Sequence, residues 1–384
     1  MAVLTEDELI KIRRHLHEIP ELALQEKETH AYLLEVIQNF KQDYLTIKTP
    51  ESLPTALLVL VKGKDPKRTI GYRTDIDALP VTEKTGLSFS SKTPGIMHAC
   101  GHDIHMSVAI GLLSYFSEQQ PKDNLLFFFQ PAEESESGGK QAYEKGIFQG
   151  KFKPDEFYGL HDNPALPAGS IGCRMGTLFA GTTEINIDLF GKGGHAAFPQ
   201  NANDTVVAAA SLIMQIQTII SRSIDPIQSG VITLGKVEAG TIRNVIAGHT
   251  RIEGTLRGLT QEMILKIDQR LRELCEGIAR SYNMQVKLDL NQGGYWPVEN
   301  DSKLTQNFIS YMKENKDVNY IETEPKMTGE DFGFLLAKFP GTMFWLGVGD
   351  PDSELHSATL NPDEKSIQRG VDAIKGFLIS RMEK

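Results

Sequence analysis

The feature of this sequence that most restricts its fold is the run NLLFFFQ at 124–130, which is apolar at nearly every position. A strand with one face in water alternates polar and apolar residues, whereas a strand buried on both faces is apolar throughout. The run therefore predicts a central strand of an open α/β sheet. Shorter β-rich runs predict further strands at 55–61, 69–72, 156–161 and 342–349.

Segments with apolar residues at helical spacing alternate with these strands. The first starts with the reciprocal capping pattern T-x-x-E, formed by Thr5 and Glu8, and Pro20 stops it. Further helices are predicted at 26–40, 103–116 and 302–313, and a last one begins at Asp363. The alternation of strands and helices predicts an α/β fold with a central, mostly parallel sheet.

The order of predicted elements changes between residues 178 and 290, where it becomes strand, helix, strand, strand, helix, strand. This βαββαβ order is typical of a small, ferredoxin-like α+β domain. Because α/β elements resume afterwards, and because 384 residues exceed what one core usually serves, we expect two domains. One is discontinuous, at 1–177 and 291–384, and the inserted one covers 178–290.

The charge and composition of the chain argue against several classes of partner. The formal net charge is −10, with acidic and basic residues interspersed, which does not fit a nucleic-acid-binding surface. No apolar run approaches the roughly 20 residues that span a bilayer, and no secretory signal pattern is present. Three widely spaced cysteines fit a reducing compartment. We therefore expect a cytoplasmic protein with no nucleic-acid or membrane partner.

The stretch MHACGHDIH at 97–105 concentrates possible metal ligands. Cys100 and His102 lie close together in it, and His98 and His105 flank them. Thiolates and imidazoles are ligands of zinc and similar divalent ions. The alternative is a buried cysteine beside incidental histidines at the start of a helix.

Further possible ligands follow the predicted strands: Asp75 with Asp77, Glu133 with Glu134, His161 and His356. Open α/β sheets form their sites at the carboxyl ends of strands, so we expect these side chains to converge. Adjacent glutamates diverge by about 100° in a helix, so one could bind an ion while the other handles protons. The aspartates could instead form a turn, and the glutamates could belong to a solvated acidic loop.

The candidate metal ligands are thus Cys100, His102, Glu134, His161 and His356. They exceed the usual four ligands of a structural zinc, so either the site is open or two ions share it, with the thiolate as a bridge. The expected cofactor is one or two ions of Zn, Mn, Co or Ni. The expected chemistry is amide hydrolysis, with Asp75, Glu133 and Glu134 as candidate catalytic residues. A Cys–His nucleophile is the alternative, but a thiolate bound to metal is not free to attack.

The predicted inserted domain has candidates of its own. The segment GKGGH at 191–195 suggests a flexible loop that presents His195. We reject a dinucleotide fingerprint there, because the pattern falls short of GxGxxG and lacks its strand–helix context. Asn244, in the run TIRNVI, and Arg257 could hold an anion, or they could be structural.

These residues resemble the aminoacylase and carboxypeptidase superfamily of two-metal amidohydrolases. The resemblance rests on RTDIDALP, MHACGHD, FQPAEE, GLH, GKGGHAA, TIRNVI, GTLR and a late LHS, which occur in order over nearly the whole chain. Within the superfamily they fit the subgroup of N-acyl amino acid hydrolases. The chain departs from the wider family at Arg73, which stands where the His of an H-x-D motif is expected. We expect the ligands of MHACGH to replace that His.

The resemblance implies a metallopeptidase-like catalytic domain in which the five candidate ligands bind the ions. Glu133 would be the general base, although Glu134 is an alternative proton acceptor, and Asp75 would orient a metal-bound His. The inserted domain would serve as a lid and dimerisation domain. Through it, His195 and Asn244 would approach the substrate carbonyl or carboxylate, with Arg257 as a further candidate.

The resemblance also implies the partners of the chain. The substrate would be a small N-acyl amino acid, and a second copy of the chain would complete a homodimer or higher oligomer. The alternative from another class is a non-catalytic metal-binding protein with the same fold. The presence of Glu133 and Asp75 argues against it, since a protein without catalysis needs no base.

Overall fold

The computed structural model describes residues 3–383 and divides the chain into two compact units. The second unit comprises Phe179–Pro297 and Pro325–Glu330. The first comprises the chain up to Leu178, Val298–Glu324 and the residues from Asp331 onward. Residues 291–297 and 325–330, which the sequence assigned to the discontinuous domain, thus belong to the second unit, whereas Leu178, assigned to the inserted domain, belongs to the first. The outermost residues of that expected domain, 1, 2 and 384, lie outside the described residues.

Helices and strands are numbered in chain order. The first unit begins with α1 (Glu6–Glu18), α2 (Lys27–Gln38), β1 (Leu45–Lys48), β2 (Leu57–Val61), β3 (Thr69–Asp75), α3 (His102–Glu118), β4 (Asn124–Gln130), α4 (Glu133–Glu136), α5 (Gly138–Glu144), β5 (Glu156–Asn163) and β6 (Ile171–Cys173). The second unit contains β7 (Gly181–Phe190), β8 (Gly194–His195), α6 (Thr205–Ser223), β9 (Gly230–Ala239), β10 (Val245–Ile246), β11 (His249–Gly258), α7 (Gln261–Ser281) and β12 (Gln285–Asn291). The first unit resumes with α8 (Ser302–Glu314), β13 (Tyr320–Glu322), α9 (Phe332–Leu336), β14 (Gly341–Gly347) and α10 (Lys365–Glu383).

The sheet of the first unit has the strand order β1-β2-β4-β3-β5-β14-β6-β13. Its centre, β4-β3-β5-β14, is parallel, whereas β2 joins β4, and β6 joins β14, in antiparallel fashion. Strand β4 coincides with the predicted run 124–130 and is buried from Leu125 to Gln130. The predicted α/β fold with a mostly parallel central sheet is therefore confirmed.

The helices of the first unit bury their apolar faces against this sheet and against one another. In α1 the predicted capping box is confirmed, since the Glu8 N–H donates to the Thr5 hydroxyl and the Thr5 N–H donates to the Glu8 carboxylate. The apolar residues of α1 share a core with α3 and α10. Helix α3 is buried along nearly its whole length. The residues at its start are therefore held in the interior.

The second unit is a four-stranded antiparallel sheet in the order β12-β7-β11-β9, with α6 and α7 contributing to one core. Ile185, Ile187 and Ile252 of the sheet lie in that core with Leu212 of α6 and Leu271 of α7. The observed order β7, α6, β9, β11, α7, β12 is the predicted βαββαβ order. The short antiparallel pair β8–β10 was not predicted, because two residues are too few for a periodic pattern.

Helix α6 is, by its length and composition, long and apolar enough to cross a membrane. The expectation that no apolar run approaches this length is therefore wrong for α6. Its residues Ala208, Leu212 and Ile216 are buried in the core of the second unit. One such helix is weak evidence for a membrane span, because core helices of soluble proteins meet the same criteria.

Candidate metal centre

The carboxyl ends of the parallel strands in the first unit bring the predicted ligands together. Asp75 ends β3, and Glu133 and Glu134 follow β4 at the start of α4. His161 lies within β5, and His356 lies in the loop that follows β14. Strand β5 continues to Asn163, two residues beyond its predicted end at His161. The site is thus formed where α/β sheets usually form sites.

Cys100 reaches this edge from the loop before α3. The intervening Gly101 has φ 75°, in the left-handed region, and a Cβ there would lie 2.2 Å from Oδ2 of Asp162. Both the backbone conformation and the close approach of Asp162 therefore require glycine. This turn places Cys100 and His102 on either side of the glycine, at the start of a buried helix.

The five candidate ligands lie close enough to share bound ions. The Cys100 sulfur is 3.5 Å from His161 Nε2 and 3.3 Å from His356 Nε2. Glu134 Oε1 is 3.8 Å from His102 Nε2, and Glu134 Oε2 is 3.5 Å from His356 Nε2. One group of possible ligands joins the thiol with His102 and His161, and a second joins it with Glu134 and His356. Within each group the ligand atoms lie within 4.8 Å of one another.

The chemistry of this cluster fits a bound divalent cation. His102 Nε2 and Glu134 Oε1 are buried and have no hydrogen-bond partner among the described residues. Burial raises the pKa of the Cys100 thiol well above its usual value, and the carboxylates of Glu134, Asp162 and Glu133 raise it further. So many anionic groups around a buried thiol are unfavourable unless a cation offsets them. The residues present therefore fit the expected ions.

Backbone carbonyls fix the orientation of two of the histidines. His102 Nδ1 lies 2.8 Å from the Asp77 carbonyl oxygen, and His161 Nδ1 lies 2.9 Å from that of Asp162. If each Nδ1 carries the proton and donates it to the carbonyl, each Nε2 keeps its lone pair. This is the arrangement found in metal-binding histidines.

Asp77 was named beside Asp75 as a possible ligand, but the sequence indicated no role for it in supporting the other ligands. Its carboxylate Oδ2 accepts a hydrogen bond of 2.9 Å from the Glu134 N–H, in addition to the carbonyl contact with His102. One aspartate thus orients two candidate ligands. Its position two residues after Asp75, beyond the end of β3, was the available signal, but the same signal also fits a turn.

Asp75 contacts His105 more closely than it contacts a candidate ligand. Its Oδ1 lies 2.5 Å from His105 Nδ1, whereas its Oδ2 lies 3.6 Å from His102 Nε2. On the far side of the ring, His105 Nε2 lies 3.1 Å from Oδ1 of Asp162. Burial lowers the pKa of His105, but the Asp75 and Asp162 carboxylates outweigh it and raise that pKa to about 9. His105 therefore links two carboxylates beneath the site.

Arg73 supplies a buried positive charge at the same place. Its guanidinium donates to Asp75 Oδ2 at 2.6 Å, to Asp331 Oδ1 at 2.9 Å and to Gln130 Oε1 at 3.1 Å. Arg73, Asp75 and Asp331 are all fully buried. Burial works to raise the pKa of Asp75, but Arg73 and the neighbouring histidines hold that pKa well below its usual value. Asp75 is therefore an anion with fixed partners.

His98, the first histidine of the MHACGHDIH stretch, is buried. Its two ring nitrogens have no hydrogen-bond partner in the part of the chain that the structure describes. Burial lowers the pKa of His98 to about 3. It is therefore a neutral imidazole near neutral pH.

The second unit carries the three predicted substrate-binding residues. His195 in β8 and Asn244 before β10 are exposed and adjacent, since the Ala196 N–H donates to the Asn244 carbonyl oxygen. Arg257 in β11 lies elsewhere in this unit, where its Nη1 donates to the Thr182 hydroxyl and to the Met327 carbonyl oxygen. His195 and Asn244 thus form one exposed pair, whereas Arg257 has structural partners.

Comparisons with known proteins agree with this geometry. The model of Peptidase family M20/M25/M40 matches residues 71–380. The chain is 84% identical over 382 residues to a protein of Lactobacillus acidophilus named N-acetyldiaminopimelate deacetylase, covering 100% of both chains. It is 76% identical to a protein of Limosilactobacillus reuteri with the same name, covering 99% of this chain and 100% of the relative.

Solved structures of similar sequence have the same fold. A putative aminohydrolase from methicillin resistant Staphylococcus aureus superposes with a TM-score of 0.92 at 31% identity, covering 98% of this chain and 97% of that one. A protein of Bacillus subtilis described as a dinuclear metal binding peptidase from the M20 family superposes with a TM-score of 0.86 at 30% identity, covering 99% and 98%. The resemblance found from the sequence motifs is confirmed.

Proposed function

This chain belongs to peptidase family M20/M25/M40, and we propose that it removes the acetyl group from N-acetyl-LL-2,6-diaminoheptanedioate, giving acetate and LL-diaminopimelate. The observation that carries the proposal is its full-length identity of 84% with an enzyme named for this reaction. The strings HLHEIPEL, QTIISRSIDP, MTGEDFG and MFWLGVG support the same substrate, because they resemble that deacetylase. The reaction would serve the acetylated branch of lysine biosynthesis, in the cytoplasm.

The cluster of candidate metal ligands is the proposed catalytic centre. Cys100, His102, Glu134, His161 and His356 would hold one or two ions of Zn, Mn, Co or Ni, and the Cys100 sulfur, common to both ligand groups, would be shared. When bound, a divalent ion polarises a carbonyl group and lowers the pKa of water towards neutrality. Asp77 and Asp162 hold the ligands His102 and His161 in orientation.

Glu133 is the proposed general base. It is buried, and one of its carboxylate oxygens lies within 4.8 Å of a His102 ring nitrogen and of a Glu134 carboxylate oxygen. In this role it takes a proton from the attacking water and delivers it to the amine nitrogen as the carbon–nitrogen bond breaks. Glu134, whose backbone N–H is bound by Asp77, would remain a ligand. The products are acetate and the free amine.

His195, Asn244 and Arg257 are the proposed substrate-binding residues of the second unit. Substrate carboxylates and carbonyls accept hydrogen bonds, which an imidazole, an amide and a guanidinium can donate. Support comes from the exposure of His195 and Asn244 and from their pairing through the β8–β10 ladder. A kcat/KM for His195→Ala equal to that of the unsubstituted protein would contradict this part of the proposal.

The second unit also carries the proposed homodimer or higher-oligomer interface. Strand β9 is at the edge of its sheet, and Val231 and Val237 on it are exposed. Val207 and Met214 of α6 are exposed as well. Edge strands with exposed apolar residues are surfaces on which a second copy can pair. A monomeric mass by sedimentation velocity at micromolar concentration would contradict this assignment.

The substrate proposal predicts a ranking of substrates. Metal-free protein, reloaded separately with Mn, Co, Zn or Ni, is offered N-acetyl-LL-diaminopimelate, hippurate and N-acetylcysteine. We expect kcat/KM for the diaminopimelate derivative to exceed the others by about tenfold or more, the range that buried polar contacts to a second amino acid head group can supply. Chelation should abolish turnover, and the added metal should restore it.

Two other outcomes of this panel would change the assignment. Equal or better turnover of hippurate or N-acetylcysteine would contradict the named substrate but would leave an N-acyl amino acid hydrolase. Uptake of metal without turnover of any compound would favour a non-catalytic metal-binding protein.

A further inference from the structure

The turn that connects β4 to the glutamate pair contains a strained residue. Ala132 has φ 59° and ψ 41°, and Ser137, at the other end of the short helix α4, has φ 51°. Both are left-handed conformations that residues with a Cβ rarely adopt. The backbone direction at Glu133 and Glu134 is therefore imposed by contacts, because it does not follow from local preference.

A buried carboxyl group, which lies outside the sequence motifs quoted above, binds the backbone of this turn. Oε1 of Glu26, a fully buried residue, accepts a hydrogen bond of 2.9 Å from the Ala132 N–H, across 106 positions of sequence. The same oxygen accepts a bond of 2.9 Å from the N–H of Leu24, which is also left-handed, with φ 62°. Glu26 thus stabilises two strained backbone positions through a single oxygen.

The backbone on either side of Glu133 is held by hydrogen bonds to carboxylates. Ala132 N–H is bound by Glu26, and Glu134 N–H is bound by Asp77, so both neighbours of Glu133 are held by carboxylates. The carbonyl oxygen of Glu21, in the same segment, accepts from the Ala78 N–H at 2.8 Å. Segment 20–29 therefore contacts the chain that follows β3 and the chain that follows β4.

The contacts of Glu26 do not fit the role of a helix cap, which its position before α2 would suggest. Glu26 precedes α2, but its side chain makes no capping hydrogen bond to that helix. Burial, together with the nearby Asp77 carboxylate, raises the pKa of Glu26 to about 7, although hydrogen bonds from backbone N–H groups and from the Thr55 side chain act in the opposite direction. Oε1, the oxygen that contacts the turn, accepts from the backbone N–H groups of Leu24 and Ala132.

We infer that Glu26 is a positioning residue, whose carboxyl oxygen holds the left-handed turn at Ala132 and thereby sets the direction of Glu133 and Glu134. The inference rests on the proposed function, because it concerns the same site. It adds a determinant of the glutamate geometry that lies near the N-terminus, in a part of the chain before the strands that bear the site.

The test compares four variants of the full-length chain. Glu26→Ala removes the acceptor, so we expect kcat and Co²⁺ affinity each to fall about tenfold or more, as for other residues that orient ligands. Glu26→Gln keeps an oxygen that can accept both N–H bonds, so both quantities should stay within about threefold of the unsubstituted protein. Glu26→Ala/Ala132→Gly should regain several-fold over Glu26→Ala, because glycine adopts the left-handed turn without strain. Ala132→Gly alone completes the cycle.

Glu21→Ala is the matched control. The Glu21 carboxylate accepts from the N–H and hydroxyl of Thr29 in the same segment, at 2.9 and 3.0 Å. Its loss should lower the melting temperature while leaving kcat and Co²⁺ affinity unchanged. A merely structural Glu26 would behave in the same way. Values for Glu26→Ala within twofold of the unsubstituted protein, or no gain from Ala132→Gly, would overturn the inference.

Two readouts keep this test separate from the proposed function. Cobalt affinity, followed by its visible absorption, needs no substrate. Amide hydrogen exchange of residues 132–138 needs neither substrate nor metal, and it should be faster in Glu26→Ala and normal in Glu26→Gln. If the unsubstituted protein hydrolyses no acetyl substrate, the proposed function fails while these two measurements still decide the role of Glu26.

Discussion

Glu133→Gln is expected to retain the bound metal and to lose roughly 10²- to 10⁴-fold in kcat, the range that general acid–base catalysis supplies. Glutamine has nearly the same shape as glutamate but cannot accept a proton from water. The cluster of candidate ligands is otherwise intact, so the metal content should not change. Elemental analysis and steady-state kinetics on N-acetyl-LL-diaminopimelate measure the two quantities.

Cys100→Ala is the contrasting variant. It removes the sulfur that is common to both ligand groups, so metal content and activity should fall together. Cys173→Ala serves as its control, because Cys173 is also fully buried but lies in β6. If Glu133→Gln and Cys100→Ala both kept full metal and full rate, the assignment of ligand and base would be wrong.

Arg73→Met is expected to lower the free energy of unfolding by about 3–5 kcal/mol, the usual effect of removing one partner from a buried ion pair. Methionine fills a similar volume, but it leaves the buried carboxylates of Asp75 and Asp331 without the guanidinium. Gln130 loses a contact as well, because Arg73 Nε donates to its Oε1. Urea-induced unfolding of the metal-free protein measures the change.

An exposed arginine provides the control for this stability effect. Arg14 donates to both oxygens of Glu364, but its side chain is 47% exposed. Exposed pairs of this kind contribute about 0–1 kcal/mol, so Arg14→Met should change the free energy of unfolding by no more than that. Equal effects of the two substitutions would show that the buried network does not contribute more than a surface pair.

The sequence predicted the central sheet because long apolar runs leave few alternatives. Strand β4 has the predicted bounds, and β3 and β5 begin where they were expected. Strands β1, β6 and β13 were not predicted, because they have only three or four residues and show no periodic pattern. The candidate ligands were identifiable because they follow strands, and parallel strands end at a common edge.

The residues that support the candidate ligands could not be found in this way. A local pattern indicates which positions are buried, but it does not indicate which buried charges meet. Arg73 and Asp331 are 258 positions apart, and only the completed topology brings them together. Asp162 lies beyond the predicted end of its strand, because the sequence gives no sign that β5 continues past His161. Arg73, which directly follows the predicted strand 69–72 and precedes Asp75 by two residues, was an available sign of a buried ion pair.

The strand order also has a consequence for how the protein is made. Strand β14 lies between β5 and β6 but follows the second unit in the chain, so the nascent chain cannot complete its main sheet until the second unit has been synthesised. The second unit, apart from 325–330, is continuous and leaves the ribosome earlier. Its antiparallel sheet can form while β5 still lacks its neighbour β14. During that interval the exposed edge of β5 is a point at which chaperone binding would protect the growing polypeptide.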